Sequence, residues 1–292
     1  MPVGRDILAF DSNRAGNYEV YATDLSGSHR TWRLTSDSHY DSWWARLSPD
    51  RTRILFYRTP KGTHDRDFTS TTLWMMNADG SAQRQLRAPK ADGWLIQGHG
   101  EWSPDGRSMV MTGTAGLAPQ LFITDANGIH PRQLTHLGAG ANDPSWSPDG
   151  KTVVFYSCPG STCSTQTQEI YTIAVATGQV KRLTYNSIPD NDPYYSPDGK
   201  LIAWLGETSA QPAPGIWNVY MMNADGSGQR NLTNDRMINS KPQWSADGSR
   251  VFFHRFAIGT ASHWEIYSIR PDGTGLTEVT SGQDGDNEYP TN

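Results

Sequence analysis

Trp44, His99, Asp143, Asp192, Lys241 and Tyr289 stand 44 to 55 residues apart, each directly before a proline or the residue in its place (Ala45, Gly100, Pro144, Pro193, Pro242, Pro290). Brought to one place, two carboxylates, an imidazole, an amine and two aromatic rings suit recognition of a polar ligand. Histidine with carboxylates also suits a divalent ion such as calcium, with Tyr289 or Lys241 serving as a base. The same residues have plainer uses. Aspartates before strands cap turns, rings fill the space between sheets, and a lysine pairs with a neighbouring acid for modest gain.

The elements that position these six come from an internal repeat, which is the first thing to look for in a chain of this size. Ser103-Pro104-Asp105-Gly106, Ser147-Pro148-Asp149-Gly150 and Ser196-Pro197-Asp198-Gly199 are one tetrapeptide, with degraded copies at Ser48-Pro49-Asp50-Arg51 and Ser245-Ala246-Asp247-Gly248. Each follows a large apolar or aromatic residue (Leu47, Trp102, Trp146, Tyr195, Trp244) and precedes a run such as Thr152-Val153-Val154-Phe155-Tyr156. Two apolar runs joined by Pro-Asp-Gly predict a hairpin, strands A and B. A second hairpin follows in each repeat. Leu73 to Asn77 turns at Ala78-Asp79-Gly80 towards Leu86, and Val219 to Asn223 turns at Ala224-Asp225-Gly226 towards Leu232-Thr233. Asp-Gly is a strong hairpin signal, so these are strands C and D, and one repeat is one four-stranded sheet.

The ends of the chain fit together. Gly4 to Phe10 reads as a strand B lacking its strand A, and Asp286 to Asn292 resembles the strand A segment Ala141 to Trp146. The expectation is an all-β, six-bladed β-propeller of four-stranded blades, residues 1–292 as one domain, closed by pairing the C-terminal strand with the N-terminal blade.

Composition bounds the function. A net charge of −5 excludes a basic phosphate-binding surface, and with it nucleic acid as a partner. No apolar run approaches the roughly 20 residues that span a bilayer. Met1 to Arg5 has no hydrophobic signal core. The two cysteines, Cys158 and Cys163, lie in one loop, where a short disulfide would favour an exported protein and two free thiols are the alternative.

The pattern Asn142-Asp143-Pro144-Ser145-Trp146-Ser147-Pro148-Asp149-Gly150, followed by Glu169-Ile170-Tyr171 and closing on Leu-Thr, resembles the WD40-like PD40 repeat of TolB-like propellers. The resemblance covers essentially the whole chain and implies a six-bladed propeller, a periplasmic or secreted location with any signal segment absent from this sequence, and a protein or peptide partner. Related propellers also accompany peptidases, and some act on uronic-acid sugars with a divalent metal near the axis. No Gly-x-Ser-x-Gly stands in a strand–turn–helix setting here, so a free-standing, monomeric binding module without a cofactor is the leading expectation. A metal-dependent carbohydrate lyase and a sugar-binding lectin are the alternatives.

Long B–C and D–A connections share one face, where binding usually resides. His64, Phe68, Trp94, Trp217, His263 and Trp264 are expected to be displayed there, and Trp217 joins the ring of six as a ligand-binding candidate. The acidic stretch Asp284 to Glu288 lacks the spacing of a Ca²⁺ loop and reads as a solvated connection.

Overall fold

The computed structural model describes residues 6–26, 30–209, 215–257, 263–280 and 285–292. Met1 to Arg5 and Asp284 lie outside them. The described chain is all β apart from one 3₁₀ turn at Ala91–Gly93, and it forms six four-stranded antiparallel sheets. Blade 1 orders Asn287–Thr291, Ile7–Ser12, Glu19–Asp24 and Thr31–Arg33 from axis to rim. Blades 2 to 6 each take four consecutive strands, and their inner strands A are Tyr40–Leu47, Gln97–Trp102, Asn142–Trp146, Asp190–Tyr195 and Ile238–Trp244. In blade 1 strand A comes from the other end of the chain, with Asn287 opposite Ser12 and Thr291 opposite Ala9.

The repeat residues explain why each blade forms. In the Ser-Pro-Asp-Gly turn the Ser147 hydroxyl donates to Asp149 Oδ1 (2.7 Å) and accepts the Thr152 amide (2.9 Å). Ser103 and Ser196 repeat both contacts. Gly150 sits at φ 69°, a conformation that favours glycine. Asp105, Asp149 and Asp198 are held below the usual carboxylate range by these serine hydroxyls, so they are structural residues. The Leu-Thr signature has an equally local cause. Thr184 Oγ1 donates to Glu169 (2.5 Å) and accepts the Ile170 amide (2.9 Å), tying strand D to the start of strand C. Thr280 does the same with Glu265 and Ile266, and Thr135 with Gln120 and Leu121.

Apolar faces of adjacent blades meet in six clusters, one at each blade interface. Blades 2 and 3 enclose the largest, around Trp43, Tyr57, Trp94 and Trp102. Burying these faces is what packs flat sheets into a ring. Cys158 and Cys163 form a disulfide in the B–C loop of blade 4.

The loop-face expectation needs correction. Trp94 is only 3% exposed and packs on Phe122 inside the core. His64 and Phe68 lie largely inside, against Trp43. The end of the acidic stretch is no solvated connection either, because Glu288 is buried in strand A of blade 1.

Candidate functional site

Every strand A carries a break in its ladder at the same place: after Trp43, Gly98, Asn142, Asn191 and Ser240, and around Tyr289 opposite the shift between Ala9 and Asp11. A β-bulge leaves one residue unpaired and turns its side chain. That residue is Trp44, His99, Asp143, Asp192, Lys241 or Tyr289 in turn, and all six adopt left-handed backbone with φ between 48° and 54°. Such φ values in bulky non-glycine residues are rare. Here one bulge per blade, repeated six times, imposes them.

The six meet in one continuous network. Lys241 Nζ lies 2.5 Å from Asp192 Oδ1 and 3.4 Å from Asp143 Oδ2. His99 Nδ1 makes an ion-pair contact with the other oxygen of Asp143, out of line for a hydrogen bond. The Trp44 ring sits 4.5 Å from the His99 ring and 5.2 Å from the Tyr289 ring, with the Lys241 ammonium 4.9 Å from its centre. Tyr289 Oη donates to Asp65, which reaches in from the B–C loop of blade 2. Five of the six are buried, and the His99 side chain is 15% exposed.

Burial opposes every charge in this group, and the outcome differs by residue. Burial would raise the Asp143 pKa, but the His99 and Lys241 charges hold it well below the carboxylate range. Burial pushes Asp192 well above that range, aided by the Asp143 charge and resisted by Lys241. For Lys241, burial is outweighed by the two aspartates, so the ammonium is held charged.

A second layer, absent from the sequence reading, lies two residues further along strand A. The Arg46 guanidinium contacts Glu101 and donates to Tyr194 Oη (3.1 Å), and Tyr194 Oη donates to Glu101 Oε1 (2.6 Å). Arg46 also stacks 4.0 Å over Trp44, joining the two layers. The signal was available, since residues i and i+2 share a side of a strand. Trp217 does not join the ring. It lies at the start of strand C of blade 5, packed on the cluster between blades 5 and 6.

Some polar atoms of the inner ring are left without partners. Trp44 Nε1 and His99 Nε2 are buried and make no hydrogen bond among the described residues. Buried donors are nearly always paired, and an unpaired one costs roughly 1–3 kcal/mol.

Six bulged blades thus surround a polar mouth at the axis. The fold is a six-bladed β-propeller like that of TolB, and the PD40 family, described as the TolB beta propeller domain, matches residues 95–213. TolB from Acinetobacter baumannii has a TM-score of 0.76 at 21% identity, covering 98% of this chain and 66% of that one. An oligogalacturonate lyase in complex with manganese has a TM-score of 0.59 at 16% identity, covering 94% and 73%. An uncharacterized peptidase of Bacillus subtilis is 29% identical over 115 residues, 37% of this chain and 16% of that protein. The matched segments span well under two thirds of the curated relatives. Among the described residues, no helix is long and apolar enough to cross a membrane.

Proposed function

We propose that the protein is a binding module whose channel mouth, ringed by Trp44, His99, Asp143, Asp192, Lys241 and Tyr289, receives an extended peptide segment of a partner protein. The observation that carries this reading is the pair of buried nitrogens without a hydrogen bond, Trp44 Nε1 and His99 Nε2, beside the ring's own ion pairs. Indole N–H is a donor only, and imidazole offers a donor or an acceptor. Peptide backbone supplies both complements. The Cys158–Cys163 disulfide supports a periplasmic or secreted setting, where disulfides persist.

The lyase-like alternative needs a divalent ion among His99, Asp143 and Asp192. Lys241 already brings a positive charge to both carboxylates, which favours the binding reading over the metal one.

Peptides selected against the protein from a random display library test the proposal. Their affinity should fall at least tenfold on Trp44→Phe or His99→Ala. Selected peptides that bind both variants as tightly as the native protein would move recognition away from the mouth.

A further inference from the structure

We propose that the cavity on the long-loop face between blades 6, 1 and 2 binds a primary ammonium group, the side chain of a lysine presented by a partner. The cavity has a volume of about 490 Å³ and is lined by Tyr18, His64, Asp65, Trp264, Asp286 and Glu288 among others. It is distinct from the bulge-residue ring and goes beyond the peptide reading of the channel.

Two carboxylate oxygens in this lining lack donors among the described residues, beside a buried histidine. His64 is nine-tenths buried, and its Nε2 lies 2.9 Å from Asp11 Oδ2. A carboxylate only accepts, so Nε2 carries a proton; burial lowers the His64 pKa, but the Asp11 carboxylate outweighs it and raises it above the ordinary value. Glu288 is also nine-tenths buried. Its Oε1 accepts from Tyr18 Oη (2.7 Å), while Oε2 faces only His254 Nε2 at 4.0 Å, beyond hydrogen-bond reach. Asp65 spends Oδ2 on Tyr289 and keeps Oδ1 without a donor among the described residues.

An ammonium carries three N–H donors and no acceptor, the complement of this set. The rings of Tyr18 and Trp264 border the same cavity and add faces on which a cation is attracted. Tyr18 stacks flat on the His64 ring at 3.6 Å, and Trp43 and Tyr289 meet its ring edge-on, which holds the ring in place. Asp41 is already engaged by the Tyr18 and Gly62 amides, and Asp286 by Asn13, Tyr18 and Trp264. They contribute negative potential without a free lone pair being required of them. Lys61 and Arg66 also border the cavity but are exposed, where solvent screens their repulsion.

Nα-acetyl-lysine methyl ester is the probe, read at pH 8 by calorimetry and by Trp264 fluorescence. Its uncharged isostere, Nα-acetyl-norleucine methyl ester, and n-butylamine complete the set. The lysine ester should bind at least tenfold tighter than the norleucine ester, and Glu288→Gln and Asp65→Asn should each weaken it at least tenfold. Asp65 lies on a loop, so its variant decides the matter if Glu288→Gln does not fold. A lysine ester stronger than n-butylamine identifies a protein lysine, and equal binding a free amine; both keep the ammonium assignment. Equal binding of the lysine and norleucine esters, or no loss in Asp65→Asn, would overturn it.

Discussion

Lys241 and Asp192 occupy the same repeat position in adjacent blades, and Lys241 Nζ stands 2.5 Å from Asp192 Oδ1 at the propeller axis. Neither is placed by its own sequence neighbourhood. Each is turned inward by a bulge at φ 50° that the repeat imposes, and the partner arrives from the next sheet.

Removing the ammonium should therefore be costly and should change the ion preference of the mouth. Lys241→Met leaves Asp143 and Asp192 buried together, and breaking a buried ion pair on one side costs about 3–5 kcal/mol. The variant should melt well below the native protein. It should regain stability with Ca²⁺ or Mn²⁺ and lose that gain with EDTA, while the native protein responds less. A thermal-shift series over the two proteins checks both halves, and an equal metal response would show that Lys241 does not fill the cation's role.

Folding stability should decline between pH 4.5 and about 7 through Glu288. Burial is the largest influence on its carboxyl, which is pushed up to about 7 from the ordinary 4.5. A carboxyl that binds its proton more tightly in the folded state favours folding at low pH, so stability falls as pH rises through this window and then levels. The full effect is bounded at about 3 kcal/mol. Asp190, also raised to about 7 chiefly by burial, acts in the same direction. Urea midpoints at pH 5 and pH 8 should differ less in Glu288→Gln than in the native protein, leaving the Asp190 share.

Thr184, the buried threonine that follows strand D of blade 4, should matter for stability. Thr184→Val keeps the shape but leaves the Ile170 amide without its acceptor and Glu169 without its hydroxyl. An unmade buried hydrogen bond costs roughly 1–3 kcal/mol. Equilibrium unfolding of this variant measures it, and a change within error would mean that another group replaces the hydroxyl.

Six-bladed architecture and the inner ring were legible because both are periodic. One tetrapeptide marks each A–B turn, and one bulge residue stands four residues before it, so Asp143 predicts the place of Lys241 two blades away. Arg46, Glu101 and Tyr194 share that periodicity but vary in type, and only a strict i+2 reading would have found them. The cavity of Tyr18, His64 and Glu288 escaped for a different reason. Its residues come from a turn in blade 1, a loop in blade 2 and the last strand, and no repeat position relates them. Trp94 and Trp217 misled because a tryptophan in an irregular loop looks displayed, whereas both rings cover the ends of inter-blade clusters.

Deleting residues 287–292 removes strand A of blade 1 and bares Ile7–Ser12. Asn292 also donates to Ile7 O (2.7 Å), and Asn287 accepts from Arg14, so the loss extends past the ladder. The truncated chain should melt at least roughly 10 °C lower, corresponding to several kcal/mol in a protein of this size. Calorimetry checks this, and an unchanged midpoint would mean that the closing strand contributes little.

The same pairing of the chain's two ends has a kinetic consequence. Contacts between residues 286 positions apart must form before the first blade is complete, and ordering so long a loop is entropically slow. During synthesis at roughly 5–20 residues per second, blades 2 to 6 emerge and fold while Ile7–Ser12 waits for a partner strand translated after all of them. Throughout that interval the nascent protein offers an unpaired strand to any neighbouring chain, so chaperone demand should be set by the first blade and not by the five made after it.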